Sequence, residues 1–223
     1  MNKSKTFMLL FSSICNGACV FIGILCLCLL TNALTTQMLI SSAVVLSLVG
    51  LIAIVVLSYF SSIPITGNNR KELKESTPIV PKMHKYRAVV YYAIFLISTI
   101  VAFSLMTAEV IDKDKKQAAA EYLTDNDYID SAALFYVVPD MFLEKACSSA
   151  LLVKEGKMLQ ENPDSVELQK SHEEVATYYD DVNSAHSLRT GAMFVCLALS
   201  GFFLTVIKLR INYVIALKEV GER

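Results

Sequence analysis

Polar and apolar positions along this chain fall into long blocks. Residues 6–69 contain no charged side chain, and within them the apolar runs 7–30 and 38–60 flank an uncharged, turn-forming stretch, 31–37. Two further uncharged runs occupy 88–108 and 190–207. About 20 apolar residues in a helix cross the hydrocarbon of a bilayer, so the pattern predicts four transmembrane helices. The fold class expected is an all-α integral membrane protein of four transmembrane helices, with an acidic helical extracytoplasmic domain inserted between the third and fourth. The expected parts are an N-terminal transmembrane hairpin (1–61), a basic cytoplasmic connector (62–87), the third span (88–108), the acidic domain (109–189), and a fourth span with a basic tail (190–223).

Helical periodicity adds detail inside these blocks. Ser12, Asn16, Cys19, Gly23 and Cys26 recur at 4-3-4-3 spacing and share one face of the first span. Small and weakly polar residues let helix backbones approach closely in lipid, so this face is a candidate helix-packing surface. The stretch 61–87 holds Pro64, Gly67, Pro78 and Pro81 and is expected to be mostly irregular. Nothing between 88 and 124 breaks a helix, so the third span is expected to run on past the membrane. Asp125-Asn126 reads as a turn, 127–137 as a short helix ending before Pro139, and 140–161 as a helix stopped by Asn162-Pro163. Leu143, Ala146, Cys147, Ala150, Leu151 and Met158 form the apolar face of that second helix.

The last helix is expected from about 165 to 217, capped by a reciprocal pair between Asp164 and Glu167. Leu168, His172, Val175, Tyr179, Val182 and His186 recur at 4-3-4-3-4 spacing as one packed stripe, with Leu168, Val175, Tyr179 and Val182 supplying its apolar character.

Charge orients the spans. In 109–189 seventeen carboxylates face seven lysines and Arg189, whereas the rest of the chain carries twelve basic and four acidic groups. Basic residues gather on the cytoplasmic side of spans. The basic start, neutral 31–37, basic 61–87, acidic 109–189 and basic tail alternate without conflict across four spans. Both termini are therefore expected in the cytoplasm and 109–189 outside it. With only Cys147 in that segment and no Asn-x-Ser/Thr acceptor, a bacterial inner membrane is favoured over a eukaryotic cell surface.

Candidate chemistry is sparse. His172 and His186 are the only ionisable groups on the apolar stripe, and a charged imidazole in an apolar seam is destabilising, which makes them a candidate pH-sensitive interface. Their separation is about 21 Å along a helix, too far to share one metal ion. Lys113, Lys115 and Lys116 read as a solvated helix face, and the clusters Asp125, Asp127, Asp130 and Glu173, Glu174 as solvated surface. No phosphate-cradling glycine loop, HExxH or G-x-S-x-G occurs, so no catalytic, cofactor or metal residues are assigned and an enzyme is not expected. The order of a small and then a large outer loop resembles that of tetraspanins in outline, but 109–189 has no Cys-Cys-Gly and the 61–87 connector is too long for that family.

The function expected is non-enzymatic: a multi-pass membrane protein whose outer helical domain binds a protein, as an accessory subunit of a membrane complex or an immunity-type protein. The alternatives are an oligomeric channel or transport component, and a sensor relaying through the long helices. Expected partners are membrane lipid and either another protein or a second copy of the chain, with no nucleic acid and no cofactor.

Overall fold

A computed structural model describes residues 3–67 and 85–221. Among them every regular element is a helix: α1 Lys3–Thr36, α2 Ile40–Gly67, α3 Lys85–Thr107, α4 Lys113–Asp125, α5 Ala133–Val137, α6 Asp140–Glu161 and α7 Val166–Gly221. Four stretches are long and apolar enough to cross a membrane: Thr6–Thr36, Ile40–Ser62, Arg87–Thr107 and Val166–Asn212. The described residues are thus all-helical, with four candidate membrane-spanning helices. The expected connector 62–87 lies largely outside the described residues. Its first part does not break the chain as expected, because α2 continues through Pro64 to Gly67.

The chain divides into two compact units. One comprises Met1–Leu25, Leu48–Phe103 and Phe194–Arg223; the other comprises Cys26–Ser47 and Ser104–Met193. The boundary falls inside α1, α2, α3 and α7, so these helices contribute to both.

The first unit is a bundle with a hydrogen-bonded polar interior. Helices α1 and α7 approach closely within it. A Cβ added to Gly201 would stand 2.3 Å from the Ser13 carbonyl oxygen and 2.6 Å from the Gly17 nitrogen, so no larger residue fits without moving backbone. Glycine is used here because it lets two backbones meet. Ser98 and Ser200 hydroxyls lie 2.8 Å apart and join α3 to α7, while Tyr91 and Phe203 rings pack at 5.4 Å between the same helices.

The second unit has an apolar core of Ile111, Ala119, Ala120, Phe135, Leu143, Cys147, Ala150 and Leu151, with Val175 and Tyr178 of α7 packed against it. In it, α1 does not stop at 30 as expected but runs to Thr36. The hydroxyls of Thr31, Thr35 and Thr36 each bond the carbonyl four residues back, so the turn formers are absorbed into the helix. The reversal into α2 is compressed into Gln37–Leu39, with Gln37 and Leu39 at φ of 56° and 51°. Ala33, Ala43 and Val137 are buried together beside this turn, and the Asn32 amide donates to the Val137 carbonyl at 3.0 Å.

The expected continuous helix from 88 past 120 is interrupted. Residues 108–112 leave the helix, and Asp112 then caps α4 by accepting from the Asp114 amide at 2.9 Å. Asp140 accepts from the Ile111 amide at 3.3 Å, satisfying a donor that the break would strand in a buried position. The turn expected at Asp125-Asn126 falls one residue later, at Asn126-Asp127, with Asp127 at a φ of 57°. That left-handed residue delays the next helix, so α5 is confined to Ala133–Val137.

Pro139 holds Val138 extended, as residues before proline prefer, and α6 starts at Asp140 and ends at Glu161. Its buried face includes Leu143, Cys147, Ala150 and Leu151 as expected, but Met141, Glu144 and Ser148 take places assigned to Ala146 and Met158, which are exposed. The cap of α7 lies one residue beyond the expected pair: the Ser165 hydroxyl accepts from the Leu168 amide at 3.4 Å.

Candidate functional site

Each unit has a polar centre. In the first unit it forms around Asn16, which is fully buried. The Asn16 amide donates to Thr205 Oγ1 at 2.8 Å, and Asn16 Oδ1 accepts from Lys208 Nζ at 2.6 Å with the Ser61 hydroxyl 3.1 Å away. The Ser12 hydroxyl donates to the Ser61 carbonyl at 2.9 Å. Asn16 thus has partners for both ends of its amide, drawn from α2 and α7. Lys208, which the sequence places at the close of the fourth span, also reaches Ser58 and Ser61.

Four of the five positions on the small-residue face of α1 meet other helices. Ser12 and Asn16 meet α2 and α7, the Cys19 thiol lies 3.6 Å from the Ile54 carbonyl, and a Cβ on Gly23 would touch the end of Ile54 at 3.8 Å. Gly17, one position off that stripe, makes the close backbone contact with α7.

In the second unit the centre is Glu144 of α6, a carboxylate with 1% exposure. It accepts from Arg189 through one oxygen and lies 2.6 Å from His186 Nδ1 through the other. His186 Nε2 is 3.4 Å from the Thr190 hydroxyl. His186 therefore faces a carboxylate and not an apolar seam, because the stripe of α7 turns toward Glu144 at this level.

His172 is elsewhere, one Cβ-contact distance from Gly156, with its buried Nδ1 unpaired among the described residues. The two histidines are not brought together. Val175 and Val182 are packed, whereas Leu168 and Tyr179 are half-buried; Tyr178 touches the core in Tyr179's stead.

A second ion pair joins Lys116 to Asp140, both largely out of water. Lys115 sits over the Tyr178 ring at 4.0 Å from its centre. Lys116 is thus structural and not part of a solvated face, whereas Lys113 and Lys115 are exposed as expected. The acidic clusters at 125–130 and 173–174 have exposed carboxylates.

Burial pushes the Cys147 thiol up to about 12, so it stays a neutral packing group at physiological pH. Lys157, over the Tyr122 ring at 5.4 Å, is pushed up chiefly by its proximity to Tyr122. Among the described residues no three His, Cys, Asp or Glu side chains converge as a metal-ligand set.

What sequence reading missed is the pairing. Glu144, Arg189, Lys116 and Asp140 read as anonymous surface charges. The available signal was positional: Glu144 lies one residue from Leu143 and three from Cys147, on the buried side of α6.

No protein-family model matches the chain, and no curated protein and no solved structure matches it.

Proposed function

We propose that this is a non-enzymatic, multi-pass membrane protein, and that residues 109–189 hold a protein partner outside the cytoplasm. Both termini are cytoplasmic in this reading, and the membrane is a bacterial inner membrane. The charge order along the chain supports that orientation.

One observation carries the binding assignment. The second unit closes its own core and neutralises its buried charges internally, yet Tyr128, Phe142 and Val153 remain exposed, Tyr128 to 65%. Large apolar side chains among surface carboxylates are what a partner with apolar anchors and basic neighbours would cover. The polar interior around Asn16 and Lys208 favours a second reading, an oligomeric channel or transport component, because ionisable groups inside a bundle mark conduction paths in many membrane proteins.

A photo-cross-linking residue placed singly at Tyr128, Phe142 and Glu173 in the full-length protein, in intact membranes, tests the assignment. An adduct of one discrete added mass at Tyr128 and Phe142, but not at Glu173, is expected. An added mass equal to the chain itself would instead favour the oligomeric reading. No adduct at either apolar position removes the proposal.

A further inference from the structure

A cleft of about 560 Å³ opens within the second unit, between the end of α1, the break 108–112 and the start of α6. Its floor is apolar: Cys28 and Met106 line it and are 3% and 0% exposed. Its mouth is polar and carries both signs of charge. Glu109 and Lys113 are exposed there, and among the described residues neither is ion-paired with another side chain. Deeper in, the Lys116–Asp140 pair forms part of the wall and cancels its own charge. The Thr35 and Thr36 hydroxyls spend their protons on α1 carbonyls, which leaves their oxygens as acceptors.

We infer that this cleft binds a zwitterion, a primary ammonium joined to an anionic oxygen group, with the anion at Lys113 and the ammonium at Glu109 and the threonine hydroxyls. Unpaired opposite charges at one mouth cannot both be served by a simple ion, and a ligand carrying both signs satisfies them together. Depth favours a lipid source. Two of the four candidate spans end on residues that line the cleft, Thr36 and Thr107, which puts its mouth at the level where hydrocarbon gives way to headgroups. The apolar floor suits the glycerol end of an acyl chain. Phosphatidylethanolamine supplies this chemistry from the bilayer; free phosphoethanolamine supplies it from solution.

The full-length protein, purified in detergent, is to be titrated with short-chain phosphatidylethanolamine, phosphatidylglycerol, phosphatidylcholine and phosphoethanolamine, with bound mass read by native mass spectrometry. One phosphatidylethanolamine per chain is expected, retained in preference to phosphatidylglycerol, which lacks the ammonium, and to phosphatidylcholine, which lacks N–H donors. Lys113→Gln and Glu109→Gln should each weaken binding about tenfold, the loss of one charge-assisted hydrogen bond. Glu121→Gln, outside the cleft, should leave it unchanged. Binding of phosphoethanolamine alone, weakened by the same two variants, would place the ligand in solution and keep the site. Equal retention of phosphatidylglycerol, or binding unaffected by both variants, overturns the inference. All three substitutions fall on exposed residues, so unfolding temperatures like that of the unmodified protein confirm that binding and not folding is being read.

Discussion

At the scale of single residues, what holds the first unit is contact distance. Ser12 and Asn16 were legible in the sequence because a 4-3-4-3 stripe of small residues is a periodic signal. Gly17 and Gly201 were not legible as a pair: periodicity gives a face on one helix and says nothing about which distant helix meets it. The structure makes Gly201 the more sensitive position. In Gly201→Ala the new methyl would meet backbone atoms of α1 at 2.3–2.8 Å, and backbone cannot rotate away as a flexible side chain can. Overpacking of this kind costs about 1–3 kcal/mol. Gly191→Ala is the matched control, since its Cβ would meet nothing within 4 Å. There, replacing a helical glycine should stabilise by roughly 0.5–1 kcal/mol. Thermal unfolding in detergent should therefore move in opposite directions for the two variants, and a common direction would refute the close approach. Gly23, singled out from the stripe, has a Cβ position in ordinary contact with Ile54, so it sits below Gly201 in expected sensitivity.

At the scale of elements, the boundaries that proline and asparagine set were readable, and those that tertiary contacts set were not. Helix α6 runs over the residues that Pro139 and Asn162-Pro163 delimit. The break at 108–112 contains neither proline nor glycine, and Asp112 is a cap only because the chain has turned before it. The turn is stabilised from outside by Asp140, which takes the Ile111 amide and the Lys116 ammonium at once. The same logic explains the overrun of α1 through Thr31–Thr36, where hydroxyls that favour turns in isolation bond back along the helix. A prediction separates the two ends of the break. Asp112→Ala removes the cap of α4 alone and should cost about 1 kcal/mol. Asp140→Ala leaves Lys116 without its partner and the Ile111 amide unpaired in a buried site, each a loss of about 1–3 kcal/mol, so it should cost more. Chemical denaturation of the full-length protein, followed by helicity, would check the order. An Asp112 effect equal to or larger than that of Asp140 would mean that the cap alone, and not the tertiary contact, sets the break.

At the scale of the whole molecule, the span count and the helical class followed from hydrophobic length, the most robust signal a sequence carries. The polar centres did not, because burial of a charge depends on partners that composition cannot reveal. Glu144 and Arg189 count as ordinary members of an acidic segment until α6 and α7 are set side by side. Orientation is a separate matter, decided by charge on the connecting segments and testable without reference to packing. Four spans, a neutral 31–37, an acidic 109–189 and basic flanks support the proposed arrangement, with 109–189 outside and the connector within. Single cysteines at Gln169 and Lys74, in a background lacking the six native cysteines, report on it. Gln169 is exposed on α7, so a membrane-impermeant maleimide should reach it in intact cells. Lys74 belongs to the connector, outside the described residues, and should react only after the membrane is opened. Because the two positions are separated by one span, they must differ if that span crosses the bilayer. Labelling of both in intact cells would mean that the third helix does not cross, and labelling of Lys74 alone would reverse the orientation. The reversed orientation would put 109–189 in the cytoplasm, and with it the partner proposed for Tyr128 and Phe142.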